Sequence, residues 1–216
     1  MNIDLLHDAA LYLLAALALI ALFVAIERAI FLGLAGRSLG RFLHALDEQP
    51  IREATRSAAG VAGELVKAYR HARSALGLGV EDAAERAYLA LERKLKERIW
   101  IIDTVVTAAP LLGLLGTILG IFETFATLAK SGISDPQGVS AGIGAALLAT
   151  AYGIATALLA LFAYNACQSR VERLGEEAKM ALLALTPQMA EDMVPAASLA
   201  SLEATVVHSA PLRATG

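Results

Sequence analysis

Residues 104–129 read TVVTAAPLLGLLGTILGIFETFATLA, a stretch of small and apolar residues in which Glu123 is the only ionisable side chain. At about 1.5 Å per residue, a helix of this length crosses a hydrocarbon core of about 30 Å. Similar stretches occur at residues 138–166 and 9–34. The sequence therefore predicts an all-α integral membrane protein with three transmembrane helices.

The composition agrees with a membrane protein. Hydrophobic residues make up 57% of the chain and charged residues 18%, and the mean hydropathy is +0.59. A soluble core of this size could not bury so many apolar side chains. The net charge of −3 offers no basic field for nucleic acid. A single cysteine excludes an intrachain disulfide, and the four histidines lie far apart, so neither a metal nor a cofactor is predicted.

The distribution of basic residues predicts the orientation. Residues 35–103 contain twelve of the 18 Lys and Arg residues. The first eight residues contain Asp4 and Asp8 but no Lys or Arg. The positive-inside rule places residues 35–103 in the cytoplasm and the N-terminus outside, an N-out/C-in topology with long cytoplasmic helices. The acidic N-terminus and the lack of a clear cleavage site favour a retained first span over a cleaved signal peptide.

Local signals divide the chain further. Val80–Trp100 reads as a helix that continues without a breaker into the second span, which predicts one continuous rod. Gly77-Leu78-Gly79 separates it from an earlier helical piece, Asp135-Pro136 is a helix start, and Thr186-Pro187 is a helix stop. The predicted organisation is a periplasmic N-terminus at 1–8, transmembrane helix 1 at 9–34, a cytoplasmic helical region at 35–103, transmembrane helix 2 at 104–129, a periplasmic turn at 130–137, transmembrane helix 3 at 138–166, a cytoplasmic helical extension at 167–193 and a flexible tail at 194–216.

Small and hydroxylated residues form stripes on the second and third spans. On the second span, the stripe consists of Pro110, Gly113, Thr117, Gly120, Thr124 and Thr127. On the third, one row contains Ala141, Ala145, Ala149, Gly153 and Ala157, and the neighbouring row contains Gly142, Ala146 and Thr150. Two interpretations are open at this point: close helix packing in lipid, or the lining of a polar path, since each span places a Thr in mid-membrane.

The motifs on these spans are similar to a known family. Four motifs carry this similarity: Ala109-Pro110-Leu111-Leu112-Gly113-Leu114-Leu115-Gly116-Thr117-Ile118-Leu119-Gly120-Ile121, Gly142-Ile143, Ala146-Leu147-Leu148-Ala149-Thr150-Ala151-Tyr152-Gly153 and Tyr164-Asn165. They resemble the MotA/TolQ/ExbB proton-channel family, closest to the ExbB/TolQ branch. Glu27-Arg28 fits the same pattern.

The resemblance implies a function and partners. It implies the larger subunit of a bacterial inner-membrane motor, a homopentameric ring around the single spans of an ExbD- or TolR-like partner. Proton flow would drive work on a TonB- or TolA-like protein. Thr117, Thr150, Glu123 and Thr124 would line the proton path, while Gly113, Gly116, Gly120, Gly142, Ala146, Ala149 and Gly153 would pack the helices.

One position departs from the family pattern. The family commonly has an acidic residue five positions before the third-span Thr, and this chain has Ala145 there. A Thr hydroxyl donates and accepts hydrogen bonds but holds no charge near neutral pH, so the resemblance nominates an Asp on the partner's span as the titrating group. Glu123 either takes part in the path or extends outward to the interface.

Other functions compete with the motor. A non-conducting membrane scaffold fits the same seams, with Ala145 marking the lost acid. The chain has no Ser/His/Asp, metal-binding or phosphate-binding pattern, which argues against an enzyme. Glu27-Arg28 reads most simply as an ion pair near the inner interface.

Overall fold

A computed structural model describes the backbone of residues 3–131 and 136–193 and the side chains of residues 8–129 and 137–185. Every regular element in these ranges is helical. The helices are α1 (Ile3–Glu48), α2 (Ile51–Ser57), α3 (Gly60–Ser74), α4 (Val80–Lys96), α5 (Ile99–Ser131) and α6 (Pro136–Met193). The predicted tail at 194–216 and residues 132–135 of the predicted turn at 130–137, which include the Asp135 cap, lie outside the described residues. The remaining residues of that turn are helical, because α5 extends to Ser131 and α6 begins at Pro136.

Three helices are long and apolar enough to cross a membrane, and they overlap the three predicted spans. The apolar segments are Asp8–Glu48, Ile99–Ala129 and Gln137–Leu185. Large apolar side chains point outward along each of them: Leu19 and Phe23 on α1, Phe122 on α5 and Phe162 on α6 are each more than half exposed. Such a surface is suited to hydrocarbon rather than to water.

The chain divides into two compact units. The first contains residues 3–36, 92–131 and 136–174, and the second contains residues 37–91 and 175–193. In the first unit, α1 buries a stripe at three- and four-residue spacing that includes Ala21, Val24 and Leu32. This spacing keeps the buried residues on one helical face, and the remaining faces are left to contact lipid.

The second unit has a conventional core. Leu39 of α1, and Leu65 and Tyr69 of α3, are each at most 1% exposed. The hydroxyl of Ser38 on α1 holds the start of α3: it accepts a hydrogen bond from the Ala62 N–H at 3.2 Å and donates one to the Ala59 carbonyl at 2.6 Å. A residue distant in sequence therefore serves as the N-terminal cap that α3 lacks locally.

The predicted break between two helical pieces is confirmed, because α3 ends at Ser74, Gly77 has a φ of 63°, and α4 begins at Val80. The prediction of one continuous rod was wrong. α4 ends at Lys96 and α5 starts at Ile99. Arg98 lies between them with a φ of 62°, a left-handed conformation that interrupts the helical hydrogen-bond ladder without any Gly or Pro.

The predicted stop at Thr186-Pro187 was also wrong, because α6 continues to Met193. The preceding turns are held by a buried stripe of Val171, Leu174, Ala178 and Leu185. A proline inside a helix removes one backbone hydrogen bond and crowds the carbonyl four residues earlier, which commonly kinks or breaks a helix, but the helical backbone continues through Pro187 here. Pro110 is likewise accommodated inside α5.

Candidate functional site

The backbones of α5 and α6 touch where two glycines face each other. A Cβ atom added to Gly153 would lie 2.7 Å from the Ala109 carbonyl oxygen and 2.9 Å from the Gly113 Cα. A Cβ atom added to Gly113 would lie 2.9 Å from the Ala149 carbonyl oxygen. No side chain other than hydrogen fits at either position. In a membrane, such close approach supplies the packing that holds helices together.

Thr117 and Thr150 meet one turn away from this contact. The two hydroxyls are hydrogen-bonded to each other across the interface. The Thr117 hydroxyl also has the Ala146 carbonyl oxygen of α6 at 2.9 Å, and the Thr150 hydroxyl has the Gly113 carbonyl oxygen of α5 at 3.1 Å. Both side chains are half-buried. Each hydroxyl therefore bonds to the opposite helix, and together they link α5 to α6 by hydrogen bonds as well as by packing.

A further contact lies nearer the loop between α5 and α6. A Cβ atom on Gly142 would collide with the Thr124 hydroxyl and would lie 3.3 Å from the Thr124 Cβ. The Thr124 hydroxyl donates to the Gly120 carbonyl of its own helix at 2.8 Å. Between the two contacts, a Cβ on Gly116 would lie 3.0 Å from the Ala149 Cβ. We call this interface the α5–α6 seam, defined by Gly113, Gly116, Thr117, Thr124, Gly142, Ala146, Ala149, Thr150 and Gly153.

Some residues of the predicted stripes lie outside the seam. Ala141 and Ala145 of α6 and Thr127 of α5 are exposed. The row of small residues at every fourth position of α6 therefore leaves the contact with α5 near the start of α6. Glu123 is half-buried, and its carboxylate has no hydrogen-bond or ion-pair partner within the described part of the chain. At about 1.5 Å per residue, Glu123 lies about 9 Å along α5 from Thr117. The structure therefore brings Thr117 and Thr150 together and leaves Glu123 apart from this pair.

Arg28 is a second polar feature of the same unit, and its burial was not foreseen. It lies within the buried stripe of α1 and is only 4% exposed. Its guanidinium bonds to both Glu27 carboxylate oxygens, at 3.2 and 3.0 Å, and lies 5.0 Å from the centre of the Phe31 ring. Arg98 approaches Glu27 at 3.5 Å. The predicted ion pair is thus present, with one member inside the protein rather than extended toward water.

Residues 58–180, more than half of the chain, match the model of the MotA/TolQ/ExbB proton channel family. The chain therefore belongs to this family of membrane proteins, which is a proton-channel family rather than an enzyme class. The match includes the whole α5–α6 seam.

Individual relatives agree with the ExbB/TolQ branch. The chain is 43% identical over 86 residues to the biopolymer transport protein ExbB of Aquifex aeolicus, an alignment that covers 40% of this chain and 57% of that protein. It is 38% identical over 88 residues to ExbB of Helicobacter pylori, covering 41% and 61%. It is 36% identical over 92 residues to the Tol-Pal system protein TolQ of Haemophilus influenzae, covering 41% and 40%. The chain thus spans about half the length of these relatives.

Proposed function

We propose that this chain is an ExbB/TolQ-like subunit of a proton-driven motor in the bacterial inner membrane. With an ExbD- or TolR-like single-span partner, it converts proton motive force into work on a TonB- or TolA-like protein, for outer-membrane transport or integrity. Family membership and the names of the relatives support this class of function. The topology is N-out/C-in, and by resemblance five copies surround the partner's spans.

The observation that carries the proposal is the pair of half-buried hydroxyls at Thr117 and Thr150. Polar groups in mid-membrane are costly unless they are paired or line a polar path. Each Thr hydroxyl can accept one hydrogen bond while it donates another, so the pair can form a continuous hydrogen-bonded chain between a group on one side and a group on the other. The proposed path includes Thr117, Thr150 and Thr124, with Glu123 toward the outer end.

The proton itself has to be carried by another group. A threonine hydroxyl does not ionise near neutral pH, and Ala145 provides no carboxylate where the family commonly has one. The partner's span therefore supplies the titrating Asp in this proposal, and the α5–α6 seam supplies oriented dipoles around it. The chain alone is then half of a channel.

A second candidate function is a non-conducting scaffold subunit. One observation favours it: the seam hydroxyls already bond to each other and to the Ala146 and Gly113 carbonyls, so their hydrogen-bonding needs are met within one chain. In this alternative the threonines only fasten α5 to α6, and the absence of an acid at Ala145 reflects the loss of conduction.

Thr150→Val separates the two functions, because valine keeps the shape of the side chain and removes the hydroxyl. We expect the variant to assemble with its partner and to lose work that depends on proton motive force, measured as energy-dependent uptake or outer-membrane integrity in a host without its own copy. Thr107→Val is the matched control, because Thr107 is exposed on α5 and, among the described residues, its hydroxyl bonds only to the Thr104 carbonyl of its own helix. Failure of Thr150→Val to assemble would favour the scaffold, and full activity would contradict the path.

Glu123→Gln tests the outer part of the path separately. Glutamine keeps the size of the side chain but cannot ionise, so a carboxylate that takes part in proton movement should not tolerate the change. We expect reduced proton-dependent work with an unchanged complex. Undiminished activity would remove Glu123 from the path and leave the threonine pair as its only part on this chain.

A further inference from the structure

Two cavities follow each other along the contact between α1 and α6, within the first unit. The first has a volume of about 230 Å³ and lies against Ala18, Ala21 and Ala25 of α1 and Thr156, Ala160 and Ala163 of α6. The second has a volume of about 290 Å³ and is lined by Ala29, Leu32, Ala166, Cys167 and Arg170. We call the pair the α1–α6 groove.

The lining changes in character along the groove. The first cavity is bordered by alanines, leucines and a single hydroxyl. At about 1.5 Å per residue, the groove extends about 21 Å along α1 from Ala18 to Leu32, more than the about 15 Å of hydrocarbon in one leaflet. The far end contains a guanidinium, because Arg170 lines the second cavity. The groove is therefore apolar inside the membrane and cationic at one end.

Arg170 reaches across this end of the groove. Its Nη2 atom would lie 3.9 Å from a Cβ atom at Gly36, so the guanidinium of α6 is next to the α1 backbone at a position without a side chain. Arg170 is exposed, and in the residues that the structure describes its guanidinium has no hydrogen bond or salt bridge. A permanently charged guanidinium with several N–H donors therefore lies at the end of an apolar groove.

The depth of Arg170 matches the headgroup layer. It lies four residues, or about 6 Å, beyond the predicted end of the third span at residue 166. The polar region of a bilayer occupies about 5 to 7 Å outside the hydrocarbon on each side. A guanidinium at this depth is level with lipid phosphates, to which arginine can donate two parallel hydrogen bonds.

We infer that the α1–α6 groove binds one anionic phospholipid of the inner leaflet, with an acyl chain along the apolar cavity and the phosphate on Arg170. The inference rests on the membrane orientation of the proposed function, which puts this end of α1 and α6 at the cytoplasmic face. Charge complementarity selects an anionic lipid over a zwitterionic one, because no acidic side chain lines either cavity to neutralise Arg170 or to pair with a cationic headgroup.

The test uses the purified full-length chain in mild detergent, stripped of lipid and titrated with phosphatidylglycerol or phosphatidylcholine, with binding followed by native mass spectrometry. The wild type should prefer phosphatidylglycerol, and Arg170→Gln should weaken that preference about fivefold, the effect of one arginine near an anionic surface. Arg173→Gln is the matched control, because Arg173 is exposed on the same helix and lines neither cavity.

A second variant tests the apolar part. Ala25→Leu fills the first cavity from α1 and should lower the binding of both lipids, with helix content unchanged by circular dichroism. Equal phosphatidylglycerol binding by wild type and Arg170→Gln would overturn the inference, as would an equal loss in Arg173→Gln, which would indicate unspecific surface charge. The readout needs neither partner nor proton motive force, so the lipid site and the motor can fail independently.

Discussion

Gly153→Ala should loosen the α5–α6 seam, and the structure allows the effect to be estimated. The added Cβ would lie 2.7 Å from the Ala109 carbonyl oxygen and 2.9 Å from the Gly113 Cα, both backbone atoms that cannot rotate away. Ordinary contact begins near 3.4 Å, so the helices must separate by about 0.7 Å. Overpacking of this kind costs about 1–3 kcal/mol.

The separation would also affect the threonine pair. The Thr117 hydroxyl bonds to the Ala146 carbonyl across the seam at 2.9 Å, and an added 0.7 Å would stretch this bond beyond about 3.5 Å, where it ceases to be one. An interhelical hydrogen bond in a membrane contributes about 0.6 kcal/mol. Alanine's better helix propensity returns at most about 1 kcal/mol. The net prediction is destabilisation by about 1–3 kcal/mol.

Gly144→Ala is the matched control on the same helix. Among the described residues, a Cβ at Gly144 would meet no atom within 4 Å beyond its own turns of helix, so this substitution should be neutral or stabilising by up to about 1 kcal/mol. The two variants differ only in what the new methyl group meets.

Cys167 provides the assay. It is the only cysteine of the chain and is 6% exposed, so maleimide labelling of its thiol reports opening of the fold as SDS is added. Destabilisation by about 2 kcal/mol corresponds to about thirtyfold faster labelling when opening is a rapid pre-equilibrium. Equal labelling of Gly153→Ala and Gly144→Ala would refute the assignment of the seam as a close-packed contact.

Three further predictions concern the second unit. Ser38→Ala should lower the free energy of unfolding by about 1 kcal/mol and speed hydrogen exchange at the start of α3, because the cap on the Ala62 N–H is lost. Ser74→Ala is the control and should change stability by less than about 0.5 kcal/mol, because the Ser74 hydroxyl bonds to the Arg70 carbonyl of its own helix. Tyr69→Phe should be neutral or stabilising by about 1 kcal/mol, because the buried Tyr69 hydroxyl has no partner among the described residues; a larger loss would reveal one. Burial also raises the pKa of Tyr69, so the phenol loses its proton at a lower pH in the unfolded chain than in the folded protein. The stability of the wild type should therefore fall as the pH rises above about 10. Tyr69→Phe should lack the contribution of this phenol when unfolding is measured as a function of pH.

The spans and the seam could be predicted from sequence because both follow from local patterns. Length and apolar composition identify a membrane helix, and small residues at three- and four-residue spacing identify the face on which another helix can approach closely. These patterns predicted that Gly113 and Gly153 would lie on a packing face, and the structure brings the two glycines into contact. Their pairing with each other, and the contact between Thr117 and Thr150, depend on the rotation and register of two helices, which spacing within one helix does not determine.

The features that escaped prediction depend on distant contacts. Arg98 breaks the rod by adopting a conformation that residue type alone does not favour, while its guanidinium approaches Glu27 on α1. Arg28 was expected at the interface because arginine usually extends toward water, but its place in the three- and four-residue stripe with Val24 and Leu32 puts it inside. That spacing was visible in the sequence and could have indicated its burial.

The hydroxyl pair in the seam has two protons and more than two acceptors. Thr117 and Thr150 can each donate to a carbonyl, or one can donate to the other, and the choice changes by rotation about a single carbon–oxygen bond. Such rotations need no displacement of a helix or of a heavy atom. The α5–α6 seam therefore combines a rigid backbone contact at Gly113 and Gly153 with, one helical turn away, a hydroxyl pair whose local dipole can reverse while the backbone stays in place.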